Sequence, residues 1–198
     1  HIVSRRQRQM CIRDRSLDVK KEIKEKKYNI NNIEKIILET YETAIDFCNK
    51  NNPKNKIEAK FSLQHCSALS LIHEEILESF FEENFLNDPS IINLRNKIEI
   101  INNPNMTKDF PNYYSASIKI QFSNGLSLKK FNKHAKGDPE NPMTEKEICD
   151  KSLYLLNNKN LDVDKAKNLI IKILNSKIKK DNVFTPITWF DTLQEIIK

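Results

Sequence analysis

From Ser115 to Ser123 polar and apolar residues alternate without a break, and Asn124-Gly125 follows at once. Ala116, Ile118, Ile120 and Phe122 fall on one side, Ser117, Lys119, Gln121 and Ser123 on the other. Successive strand side chains point to opposite faces, so this period predicts a strand with one buried and one wet face. Asn-Gly tolerates the positive φ of a tight hairpin turn, which brings Leu126 to Lys133 back as the next strand. A hairpin with one apolar face needs a covering layer, and the rest of the chain must supply it.

Helical signals surround the hairpin. Ser16 can cap a lysine-rich helix over roughly 17 to 27. Ser62 caps a helix expected to run to about Phe81, with Leu63, Cys66, Leu69, Ile72 and Ile76 spaced as one helical face. Asp88-Pro89 starts a short helix leading into a strand from Lys97 to Ile101, and Ile33 to Thr40 reads as a further strand. Thr144-Glu-Lys-Glu147 is a capping box. Asp162 caps a further helix with Ala166, Leu169, Ile170, Ile173 and Leu174 as its stripe, and 187 to 197 reads as a helical tail. The expected fold class is α+β: a four-stranded antiparallel sheet with helices packed on it and extra C-terminal helices. Those last helices hold more apolar surface than one small sheet needs, so part of it is expected to meet a partner.

The first fifteen residues stand apart. Five of the six arginines lie there, without a lysine, whereas from Ser16 onward only Arg95 among the basic residues is not lysine. The run has neither the amphipathic, serine-rich character nor the apolar stretch of a targeting segment. It resembles the translated sequencing-adapter scars at the ends of environmental gene models, and residues 1–15 are expected to be non-native. They supply +4 of the formal +6 charge, leaving +2 for the rest. That balance gives no reason to expect nucleic-acid binding. No apolar run approaches the eighteen or so residues of a membrane helix. Cys11, Cys48, Cys66 and Cys149 sit singly, which fits a reducing, cytoplasmic setting better than a disulfide framework or zinc site. His73 precedes Glu74-Glu75 without a third ligand, so a metal site is not expected there.

Two segments carry chemistry. In Lys60-Phe-Ser-Leu-Gln-His-Cys66, His65 falls in the first turn of its helix on the apolar face. A lone histidine there is more often a packed, hydrogen-bonded one. The alternative is functional: an imidazole can move protons near neutrality, and a helix start beside Lys60 favours carboxylates. In His134-Ala-Lys-Gly-Asp-Pro-Glu-Asn-Pro-Met143, Gly137 frees the backbone, while Asp138-Pro139 and Asn141-Pro142 fix two bends. This loop is either a well-formed strand-to-helix connection or a rigid binding loop presenting His134 and Lys136 to an anion.

In order and spacing these features resemble the MmgE/PrpD family, whose members include 2-methylcitrate dehydratase and cis-aconitate decarboxylase. The matching features are a strand, Glu58-Ala-Lys-Phe-Ser62, the Asp88-Pro89 helix start, a hairpin turning at Gly125, and Gly137-x-Pro-x-Asn-Pro142, within Ile30 to Tyr154. The resemblance implies a cofactor-independent carbon–oxygen lyase acting on small di- and tricarboxylates, cytoplasmic and homodimeric when full length. It implies that 16–158 is the C-terminal, lid-type domain and that the 159–198 helices return towards a helical domain absent here, leaving a fragment inactive alone. His65 resembles the family position, often tyrosine, that reaches the active site and would be catalytic. Lys60, His134 and Lys136 would bind the substrate. The alternative is a non-enzymatic α+β module that dimerises through its exposed helical face.

Overall fold

The computed structural model describes residues 16–73, 76, 78–157, 164–168 and 170. The chain divides into two compact units, 1–141 and 142–198. The first holds the sheet. Its elements are α1 (16–25), β1 (Ile33–Thr40), α2 (Glu42–Cys48), α3 (Lys56–Lys60), α4 (Leu63–Ile72), α5 (Glu83–Leu86), α6 (Pro89–Asn96), β2 (Ile98–Asn102), α7 (Pro104–Asp109), β3 (Ala116–Phe122) and β4 (Ser127–Asn132). In the second unit Thr144 and Glu147 close the expected box around α8 (Glu145–Asn157): Glu147 N–H donates to Thr144 Oγ1 at 3.2 Å, and Thr144 N–H donates to Glu147 Oε2 at 2.8 Å. Residues 164–168 are helical and Ala166 is buried. Asp162, Leu169, Ile173, Leu174 and the expected tail helix lie outside the described residues.

The hairpin forms as its sequence dictates. Gly125 sits at the turn with φ +82°, and Ile118 and Ile120 pair antiparallel with Lys130 and Leu128. The sheet as a whole is mixed, in the order β2-β1-β3-β4, which corrects the antiparallel expectation. β1 pairs antiparallel with β3 but parallel with β2, Ile36 lying opposite Ile98 and Thr40 opposite Asn102. The physical reason is the connection. Residues 41 to 97, including α2 to α6, are long enough to carry the chain back to the end where β1 began, as a parallel crossover requires.

One sheet face is the core: Ile36, Leu38, Ile118 and Ile120 are fully buried there. Val19 and Ile23 of α1, most of α4, and Ile91 and Leu94 of α6 join the same cluster. Lys130 ties β4 to Glu22 of α1 at 2.7 Å. The opposite face is less wet than alternation suggests, because Ser117 is buried and donates to Glu39 Oε2 at 2.8 Å. Cys48, Cys66 and Cys149 are free thiols. Among the described residues no helix is long and apolar enough to cross a membrane.

The α4 expectation needs two corrections. The helix ends at Ile72, well short of Phe81, with His73 already extended at ψ 145°. Lys20 of α1 donates to the Ile72 carbonyl at 2.8 Å, so a neighbouring element takes one of the helix's terminal acceptors. Phe80 and Phe81 lie against the first turn of α4. Nor does α4 have a wet side: every residue from Leu63 to Leu71 is buried.

Candidate functional site

The Lys60–His65 corner is built by two successive helix boundaries. Ser62 caps α4, its Oγ accepting from His65 N–H at 2.9 Å while donating to the Lys50 carbonyl at 2.6 Å. The cap fixes the first turn and turns the His65 ring inward, where it is fully buried. Its Nε2 lies 3.4 Å from the Phe80 carbonyl and its Nδ1 lies 3.4 Å from an Arg95 guanidinium nitrogen. Burial pushes the imidazole pKa down to about 4, with the Phe80 carbonyl favouring the charged form and Arg95 opposing it. At neutral pH His65 is therefore uncharged. Lys60, at the end of α3, places its ammonium 5.9 Å from the centre of the Phe81 ring, and the His65 ring lies 6.1 Å from that same ring. Lys60 and His65 thus meet around one aromatic side chain.

The loop after β4 is held by its own short-range bonds. Ala135 N–H donates to Asp138 Oδ2 at 2.9 Å, Gly137 N–H to the Asn141 carbonyl at 2.8 Å, and Asn141 N–H to the Asp138 carbonyl at 2.9 Å. Gly137 has φ +98°, a left-handed conformation that side chains rarely adopt. His134 is half-buried, edge-on to the Tyr113 ring at 5.4 Å, with Nδ1 3.6 Å from Glu140 Oε2. Lys133 stacks its ammonium 3.5 Å from the centre of the same tyrosine ring. Lys136 is half-buried in the loop.

The four expected residues therefore form two pairs, Lys60 with His65 and His134 with Lys136. Their places in the sheet differ. Asn132, two residues before His134, lies opposite Ala116 at the end where β1 and β2 finish. Arg95, the partner of His65, lies just before β2 begins. A surface cleft of about 680 Å³ opens beside the start of β2, lined by Lys97, Glu99, Gln121, Leu126 and Ser127 among others, and it takes in none of the four. Among the described residues no group of three or more His, Cys, Asp or Glu side chains could hold a metal ion.

Sequence reasoning passed over Arg95, although a signal was present: it is the one arginine beyond the head in a chain that otherwise uses lysine. It is 3% exposed, and burial lowers its pKa. Its Nε has no partner, and Gln64 Oε1 and Ser67 Oγ on α4 are likewise buried and unpaired. Each such atom costs about 1–3 kcal/mol of lost solvation, so polar strain is concentrated on α4 and α6.

A family model described as the MmgE/PrpD C-terminal domain matches residues 9–177. The match starts inside the arginine-rich head and extends past 158. No curated protein gives a significant match to the chain.

Proposed function

The chain belongs to the MmgE/PrpD family, a family of dehydratase-like enzymes, through its C-terminal domain, and from that premise we propose that it is the lid part of a hydro-lyase acting on small di- and tricarboxylates of the 2-methylcitrate type. The α+β domain closes over a substrate held against a second, helical domain. The reaction is removal of a proton next to a carboxylate and loss of a β leaving group. Cations and hydrogen-bond donors stabilise the enolate-like charge that develops. In this reading Lys60, His134 and Lys136 bind carboxylates, His65 is the catalytic contribution of the lid, and the lid by itself does not turn over. The family match is the observation that carries the proposal.

The described conformation sets a condition on His65. The ring is fully buried behind Phe80 and Phe81, so a substrate reaches it only when that turn moves. The experiment is a titration of the isotope-labelled chain with citrate and 2-methylcitrate, followed by nuclear magnetic resonance. Shift changes at Lys60, His134 and Lys136 that weaken with added salt are expected, since exposed charge pairs are screened. No change at any of the three overturns the proposed site and leaves a non-enzymatic interaction module, with Phe131 (57% exposed) and Ile101 (39% exposed) offering it the open sheet face and not the helical face expected from the sequence.

A further inference from the structure

We infer that Arg95 is a positioning residue for His65: its guanidinium occupies the Nδ1 lone pair, so the ring carries its proton on Nε2 and serves as a neutral hydrogen-bond donor, not as a base. The chemistry of the two partners leaves one arrangement. A guanidinium has five N–H donors and no acceptor, and a carbonyl oxygen has no hydrogen to give. Facing Arg95 at 3.4 Å, Nδ1 must accept; facing the Phe80 carbonyl at 3.4 Å, Nε2 must donate. Only the Nε2-protonated neutral ring does both. An imidazolium would turn a second N–H against the guanidinium and place two like charges in contact inside the core.

The surroundings favour the same state. Arg95 is buried, and among the described residues no carboxylate stabilises its charge. Among the described residues the charged group in contact with the His65 ring is the Arg95 guanidinium of α6. A cation held against Nδ1 makes a poor place for a base that must become positive. The same place suits an N–H aimed at developing negative charge, in the way a neutral imidazole can polarise a carbonyl. This meaning for catalysis rests on the polycarboxylate reading above. The tautomer does not, so its test needs no substrate and fails independently.

The test is a nitrogen-15 spectrum of the histidine-labelled 198-residue chain at neutral pH, for the wild type, Arg95→Met and Arg95→Lys. In the wild type the His65 ring is expected to show a bare Nδ1 and a protonated Nε2. Losing a hydrogen bond from a charged donor is expected to raise the Nδ1-protonated share about tenfold in Arg95→Met, with Arg95→Lys recovering part of the wild-type pattern. A general loss of packing would blur both nitrogens without favouring either. The inference is overturned by a wild-type ring protonated on Nδ1, or by an Arg95→Met protein that folds and keeps the tautomer ratio. Should Arg95→Met not fold, the guanidinium of the wild type decides. Slowly exchanging Arg95 Nη1 protons with cross-peaks to the His65 ring support the contact, and their absence overturns it.

Discussion

The Lys60–His65 corner and the His134–Asn141 loop each present a histidine near a lysine, yet they are made by different forces. In the corner, His65 is sealed among apolar side chains, its partners drawn from α6 and from the turn at Phe80. In the loop, His134 is half-buried and the backbone bonds close within seven residues of it. Long-range burial sets the chemistry of the first histidine, and local bonding sets the geometry around the second. The same residue type thus carries opposite sensitivities, and this contrast can be measured.

Truncation gives the largest expected difference. His65→Ala empties a buried site and leaves the Phe80 carbonyl and an Arg95 N–H unpaired, at a cost of about 4 kcal/mol. His134→Ala removes a half-exposed ring whose carboxylate partner is mostly solvated, and should stay within about 0.5 kcal/mol. Urea unfolding of the two variants checks this. Equal losses would dissolve the contrast.

Acid should separate the two regions next. The folded-state pKa of His65, about 4, lies below the 6.5 of an unperturbed imidazole. Between those values the unfolded chain takes up a proton that the folded chain refuses, so stability falls as pH drops through that window. It is flat for this residue above it. At 1.36 kcal/mol per unit the full loss is up to about 3 kcal/mol. Burial lowers the pKa of His73 as well, which adds in the same direction. Unfolding free energies measured from pH 7.5 to 4 should therefore bend downward below about pH 6.5, and in His65→Ala the bend should be much smaller. An unchanged bend in that variant would remove the electrostatic half of the comparison.

How much of each region the sequence disclosed follows the same division. The loop was legible because its determinants are neighbours: Gly137 for the left-handed angle, Asp138-Pro139 for a bend, and Thr144 with Glu147 for the following helix, although the bond from Ala135 N–H to Asp138 was not foreseen. The β3–β4 hairpin was legible for the same reason, an alternation broken at Asn124-Gly125. The corner was only half legible. Ser62 announced the start of α4, but periodicity could not show that Lys20 meets its last carbonyl, nor that the helix is buried all round. A wheel that puts His65 on an apolar face says little about a helix with no polar face. The parallel β1–β2 pair was hidden too, since strand patterns carry no direction and only the long crossover between them sets it.

The smallest expected effect tests the loop by itself. Gly137→Ala must place a side chain at φ +98°, and left-handed backbone costs an alanine about 1–2 kcal/mol. The loop is exposed at this point, so it can relax by giving up the Gly137–Asn141 bond, which holds the observed loss near 1 kcal/mol. The change should leave the resonances of His65 and Phe80 untouched, because the described partners of the His65 ring come from α6 and from the turn at Phe80 and Phe81. His134, whose carbonyl accepts from Asn141 Nδ2 at 3.4 Å, should shift with it. If Gly137→Ala moves both histidines together, the two regions are coupled through the sheet, and the corner cannot be treated as a structure of its own.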